Sequence, residues 1–219
     1  MRGAFFGIVG ADISTTPKNL EMKSILPDSS GIKRFFSELP DSSGEKMPKK
    51  ELNSRDVARQ QNRVIQSAEN GAVKLETDIE KGNYGEMKID QDLSQKGYQR
   101  ISLDATTTLD APTHQGIDGI YYNPDGKPPY LIVDAKYNTA ELKNTNDGLQ
   151  MSQNWIDKRL DAAVGKEKAD EIRMAQLNGD VGCYVGKVAL NNDLNAPVSY
   201  NRVDETGKVV EKDVKINAS

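Results

Sequence analysis

Gly116-Ile117-Asp118-Gly119-Ile120-Tyr121-Tyr122 and Tyr130-Leu131-Ile132-Val133-Asp134-Ala135-Lys136 are two short apolar runs, each carrying charge where a strand should be burying hydrocarbon. Between them Asn123-Pro124-Asp125-Gly126-Lys127-Pro128-Pro129 is dense in turn formers, so the runs read as antiparallel neighbours joined by a hairpin loop. Side chains alternate along a strand, which puts Asp134 and Lys136 on one face and Ala135 on the other. Asp118 shares its face with Ile120 and Tyr122 and joins Asp134 if the hairpin register pairs the two positions. Buried unpaired carboxylates cost several kcal/mol, so two on one sheet face with an ammonium suggest a cation between them. The alternative is a plain structural salt bridge.

Outward from this hairpin the chain has the size of one medium domain with an arm. Its 219 residues are 36% hydrophobic and 28% charged, with one Trp and four Phe. With a mean hydropathy of −0.67 this implies a modest core with polar segments around it. No apolar run approaches the length of a membrane span, and Met1–Gly10 lacks the layout of a signal peptide. A single cysteine, Cys183, cannot make an intramolecular disulfide and reads as a small buried apolar residue. The net charge of −4 argues against coating nucleic acid through bulk electrostatics, so such contact has to be local, through a basic face or a metal.

Residues 1–54 are Gly-, Ser- and Pro-rich, with Leu-Pro-Asp-Ser-Ser-Gly occurring at 26–31 and again at 39–44. One repeated hexapeptide is far short of a solenoid, and the segment reads as an extended arm or linker. From there a helix is expected over Ser54–Glu69 with Ser54 as its cap, and a second over Glu80–Gln95 with Gly97 as its left-handed stop. The second carries Gly85-Glu86 and, one turn on, Asp90. Tyr98–Leu103 reads as a strand, Asp104–Thr113 as a polar loop, and Asn138–Gly148 as a loop able to cover a site. A helix over Leu149–Val164 and another over Lys166–Leu177 follow, the latter with Ala169, Ile172, Met174 and Ala175 inward. Val181–Leu190 is a strand, and Pro197–Val203 with Lys208–Ile216 forms a hairpin. The fold class is α/β or α+β, a sheet layered with helices.

Glu86 on a helix, Gly116-Ile117-Asp118-Gly119 on one strand and Asp134-Ala135-Lys136 on the next resemble the PD-(D/E)xK nuclease superfamily. With Gln150-Met151-Ser152 and Trp155 following, the order is similar to the PoNe-type DNase domains of polymorphic toxins. The resemblance spans about residues 84–160 and leaves 1–54 unaddressed. It implies a restriction-endonuclease-like core over 55–219, a mixed sheet flanked by helices, with the N-terminal arm before it. It also implies an antibacterial DNase, secreted or delivered to act in the cytoplasm of a target cell, with DNA as substrate and a cognate immunity protein as partner. Two departures stand out. Ile117 occupies the proline position of the motif, and Asp134 stands where these toxins more often have Glu, a shorter reach that leaves the metal preference open.

The chemistry asks for the same residue types. Phosphodiester hydrolysis builds charge on phosphate oxygens, which a divalent cation held by hard carboxylates neutralises while acidifying an attacking water. Asp118 and Asp134 are the candidate metal ligands, with the Ala135 carbonyl as a third oxygen and Glu86 acting through water or a second ion. Mg²⁺ suits so sparse a site, with Mn²⁺ or Zn²⁺ as alternatives. Lys136 orients or deprotonates the water or stabilises the pentacoordinate phosphorus, and Gln150 is the candidate phosphate or water contact. Asp90 is a weaker candidate. His114, the one histidine, lacks the second His or Asn of a histidine-centred nuclease and reads as a loop anchor or substrate contact. Trp155 reads as core, and Lys158, Arg159, Lys166 and Arg173 as a source of local positive charge. Two other readings share this pattern: an RNase toxin of the same fold, and a catalytically inactive interaction module.

Overall fold

The computed structural model describes residues 53–113, 115–189 and 197–217. All belong to the unit spanning 50–219, so the repeated hexapeptides, the arm and His114 lie outside the described residues. The architecture is mixed α+β: a six-stranded mixed sheet with helices on both faces.

Two helices lead. Helix α1 is Ser54–Glu69, and its cap is Asn53, whose side chain accepts from the Asp56 N–H; Ser54 is the first helical residue, one position later than the expected cap. Helix α2 is Asp78–Gln95 and starts two residues earlier than expected. Thr77 and Glu80 close a reciprocal capping box there, satisfying two N–H groups that a start at Glu80 would have left open. Gly97, at φ +80°, takes the left-handed position after the helix.

Strand β1 is Gln99–Arg100, β2 is Gly119–Tyr122 and β3 is Tyr130–Tyr137. The expected Tyr98–Leu103 strand is cut to two residues. Beyond Arg100 the chain leaves the ladder: Ile101 and Ser102 both donate to the Ile120 carbonyl, and Leu103 donates to Ala163 on a later helix. The loop after β3 contains a small two-stranded ribbon that sequence periodicity does not reveal, β4 (Asn144–Thr145) with β5 (Gly148–Leu149).

Helix α3 is Gln153–Val164, four residues shorter than expected at its start. Gly148 and Leu149 are held in β5, and Met151 sits at φ 66°, a left-handed conformation that no helix propagates through. Gln150 therefore lies in the turn before the helix. Helix α4 is Lys166–Leu177, with Ala169 and Ile172 buried; Met174, expected inward, is 61% exposed because it falls off that stripe. Strands β6 (Val181–Val188), β7 (Val198–Val203) and β8 (Val209–Glu211) complete the sheet.

The strand order is β1-β2-β3-β6-β7-β8, with β3 and β6 parallel and every other pair antiparallel. A parallel neighbour needs a crossover, and α3 with α4 supplies it. Strand β3 is central and covered on both faces, which is why Tyr130–Val133 is a continuous apolar run rather than an alternation. On one face Tyr121, Leu131, Val133 and Tyr184 pack against Ile65, Tyr84, Met87, Ile89 and Leu93 of α1 and α2. On the other, Ile120, Tyr130, Ile132 and Val185 pack against Trp155, Ile156, Leu160 and Ile172 of α3 and α4.

Candidate active site

The register of the hairpin brings the two acids together. Gly119 pairs with Val133 and Ile120 with Ile132, so one step further along the ladder Asp118 lies opposite Asp134. The Ile120 carbonyl accepts from Ile101 and the Asp118 carbonyl from Arg100 at 2.6 Å, so the even-numbered residues of this strand turn their backbone groups toward β1. Asp118 and Asp134 thus form the kind of antiparallel pair that exchanges no backbone hydrogen bonds, in which side chains approach most closely. Ala135, by the same alternation, turns its backbone toward β2, where its N–H donates to Asp118 Oδ2 at 2.8 Å. The Ala135 carbonyl points to that edge as well.

Asp134 is 1% exposed and ion-paired with Lys136 Nζ, whose side chain is 12% exposed. Asp134 Oδ2 is buried, and the Lys136 ammonium is its ionic partner. Burial pushes the Asp134 carboxyl above the usual carboxylate range, with Lys136 pulling the other way. Burial also pushes half-buried Asp118 well above that range, and the charges of Asp134 and Glu86 push it further; Lys136 and the Ala135 N–H oppose them. Glu86 therefore lies close enough for its charge to act on Asp118. It is half-buried on α2 and accepts from the Thr106 hydroxyl at 2.5 Å.

Asp90, one turn beyond Glu86, has a different job. It is 8% exposed and accepts from Gln61, Arg100 and the Tyr121 hydroxyl, each at 2.6 Å. Burial opposes the Arg100 charge, but Asp90 and Tyr121 outweigh it and hold the guanidinium still more firmly protonated. The same guanidinium donates to the carbonyls of Asp104 and Asp118. Asp90 is thus the anchor of a strut that fixes the backbone of Asp118.

Gln150 is engaged elsewhere. Its side-chain oxygen accepts from the Lys143 N–H at 2.9 Å, and its carbonyl lies against Gly207 in the β7–β8 turn. No hydrogen bond joins it to Asp118, Asp134 or Lys136 among the described residues. Trp155 is core, 2% exposed, with the Arg159 guanidinium 4.4 Å above its ring. Cys183 is half-buried, its thiol pushed up to about 12 by burial, and is an inert filler.

The basic residues of α3 and α4 do not form the positive face that their sequence suggests. Lys158 and Arg159 share Asp147 at 2.6 and 3.0 Å, Lys166 pairs with Asp170 at 2.9 Å, and Arg173 pairs with Asp161 at 2.7 Å and Asp170 at 2.9 Å. That surface is charge-balanced.

No family model, curated protein or solved structure matches this chain. The site is therefore read from its own geometry. A cleft of about 390 Å³ is lined by Asp104, Gln115, Ile117, Asp147, Lys158 and Arg159, and none of Glu86, Asp118, Asp134 or Lys136 lines it. A larger one, about 1060 Å³, opens among Lys127, Val181, Cys183, Arg202 and Glu205, and none of Glu86, Asp118, Asp134 or Lys136 lines it.

Among the described residues no group of three or more His, Cys, Asp or Glu side chains is arranged to hold a metal ion. What stands here is a facing pair of carboxylates with a backbone carbonyl at the same edge. The Asp134 charge acts against Asp118, and Lys136 supplies one counter-charge to the two acids. Such a set fits a hard cation that keeps most of its waters, as Mg²⁺ does, better than an ion needing a full protein cage. Lys187 on β6, which sequence reading passed over, stands level with Lys136 in the parallel ladder.

Proposed function

We propose that this chain is a metal-dependent DNA endonuclease with a restriction-endonuclease-like core, deployed as an antibacterial toxin and restrained in its producer by an immunity protein. The observation that carries the hydrolase reading is the facing of Asp118 and Asp134 across β2 and β3, with Lys136 on the same strand face and Glu86 reaching in from α2. A purely structural salt bridge needs one acid and one base. Here a second acid is held opposite the first by a backbone hydrogen bond and by the Arg100 strut, at an electrostatic cost that a fold without use for it has no reason to carry.

In this reading Asp118 and Asp134 hold the cation and Glu86 contacts it through water. When bound, the cation supplies Lewis acidity that acidifies a water and neutralises phosphate charge. Lys136 Nζ, steadied by Asp134, donates to the attacking water or to a nonbridging oxygen as negative charge builds there. The Ala135 N–H keeps Asp118 from swinging away. Gln150, whose amide oxygen accepts from the Lys143 N–H, keeps its amide N–H groups as donors for a phosphate or a water. Delivery to the cytoplasm of a target cell and the immunity partner rest on the ordered resemblance from Glu86 to Trp155.

Purified protein incubated with supercoiled plasmid and with RNA, in Mg²⁺ or in EDTA, tests the proposal. Nicking of DNA in Mg²⁺ alone is the expected result. Degradation of RNA alone moves the substrate, and no cleavage of either sinks the hydrolase reading.

A further inference from the structure

Strand β6 lies parallel to β3, with Asp134 level with Val185 and Lys136 level with Lys187. Residues level in a parallel ladder sit about 4.8 Å apart across neighbouring strands and project to the same face. Lys187 is therefore the immediate neighbour of Lys136, on the face that carries Asp134. Each ammonium has one carboxylate. Lys136 has Asp134, which is 1% exposed and part of the facing pair. Lys187, itself 26% exposed, has Glu141 at 2.7 Å, and that side chain is 73% exposed. Glu141 belongs to the loop after β3, which folds back so that Leu142 packs on the apolar cluster of the same sheet face.

The two partners are not equivalent. An ion pair whose acid is mostly in water adds little and opens easily, whereas Asp134 has nowhere to go. Two adjacent ammoniums, one with a replaceable counter-charge, make a receptor for an anion with more than one acceptor oxygen. We infer that Lys187 is a second ligand for the substrate phosphate, and that Glu141 occupies it until a phosphodiester displaces that carboxylate. Lys187 then fixes the phosphate beside Lys136, and the loop carrying Glu141 is released as substrate enters. The inference rests on the phosphodiesterase reading and adds to it a binding residue and an internal competitor.

The test uses the full chain and two measurements: binding of a short labelled DNA duplex in EDTA as a function of salt, and plasmid nicking in Mg²⁺. Lys187→Ala should raise both Kd and KM about tenfold with kcat little changed. It should also lower the slope of log K against log salt by about one, the signature of one lost phosphate contact. Glu141→Gln should act in the opposite direction, tightening binding and lowering KM by a few fold, and Lys187→Arg should restore binding. A merely structural pair moves differently: Lys187→Ala and Glu141→Gln would then both lower Tm and leave Kd and the salt slope alone, which overturns the inference. Should Lys187→Ala not fold, Lys187→Gln and the exposed Glu141→Gln decide by the same signs. If wild type nicks plasmid while Lys187→Ala binds and cuts as wild type does, only the assignment of Lys187 falls. If wild type cuts nothing, the nuclease reading falls and takes this inference with it.

Discussion

Replacing Asp118 with Asn should make the metal-free protein more stable. Asp118 and Asp134 face one another; burial holds both carboxyls above the usual range, and the Asp134 charge pushes Asp118 further. The sign follows from linkage. A carboxyl whose folded pKa exceeds its unfolded value, about 3.9 for Asp, binds more protons when folded, so it costs stability as pH rises through the folded pKa. The amide of Asn keeps an oxygen for the Ala135 N–H, now 2.8 Å from Asp118 Oδ2, and turns a donor toward Asp134. Asp134→Asn is a poorer experiment, because it strips the ion pair from Lys136, whose side chain is only 12% exposed. Removing an uncompensated buried charge is worth about 1–4 kcal/mol. A chain of this size gains about 2–4 °C in Tm per kcal/mol, so about 2 kcal/mol appears as about 4–8 °C. The assay is thermal unfolding followed by circular dichroism in EDTA from about pH 4.5 to about pH 8, repeated in Mg²⁺. Wild type should lose Tm as pH rises, the variant, which keeps Asp134, less steeply, and their gap should be widest at the alkaline end. Mg²⁺ at ten times its Kd should return about 1.4 kcal/mol to wild type and nothing to the variant. A variant less stable than wild type at high pH in EDTA, or one with the same pH slope, would refute the facing-carboxylate account.

Asp134→Ala and Lys136→Ala should each lower nicking about 100-fold or more, while the Mg²⁺-induced rise in Tm survives Lys136→Ala and vanishes in Asp134→Ala. His114→Ala should keep most of its activity in the same plasmid assay. Asp90→Ala should destabilise by about 3–5 kcal/mol, because it strips the paired carboxylate from a buried guanidinium and takes an acceptor from the Tyr121 hydroxyl and the Gln61 amide; the denaturant midpoint should fall with an unchanged slope. A chain beginning at Asn53 should fold and cut plasmid like the whole, and loss of cleavage by a folded truncation would show that the arm takes part.

Period and punctuation made the hairpin legible. Two runs alternating about a proline- and glycine-rich turn have one antiparallel solution, and only the register that buries Ile120 and Ile132 together sets Asp118 against Asp134. The two helix acids were not separable in the same way. Glu86 and Asp90 lie four apart and share a face of α2 by spacing alone, and only the crossing of Arg100 and Tyr121 makes one a strut and leaves the other by the site. The Thr77–Glu80 capping box was readable, as a Thr followed three residues later by a Glu, but the ambiguous stretch before it hid the helix start. The helix expected from Leu149 starts only at Gln153 because a left-handed Met151 is invisible to periodicity. Lys187 was missed for a deeper reason: strand order is a property of the crossover, and nothing in Val181–Val188 says that its partner is β3 or that the two lysines come out level.

How an acidic chain would attract a polyanion is the remaining question of consistency, and the distribution of charge bears on it. The chain carries −4 overall, and the basic residues of α3 and α4 are spent on Asp147, Asp161 and Asp170. Long-range steering toward nucleic acid is therefore weak, and the favourable field has to be made at the site. Lys136 and Lys187 lie level on one sheet face, while the facing Asp118 and Asp134 place two acids beside them that a cation would neutralise. Such a site binds phosphate weakly when metal-free and more tightly once the carboxylates are neutralised. Metal and DNA should then bind with positive coupling, each raising the affinity of the other by the same factor. A nuclease that grips DNA more tightly when loaded differs in this from one that relies on a permanent basic groove. The salt dependence of its binding should accordingly be steeper in Ca²⁺ or Mg²⁺ than in EDTA.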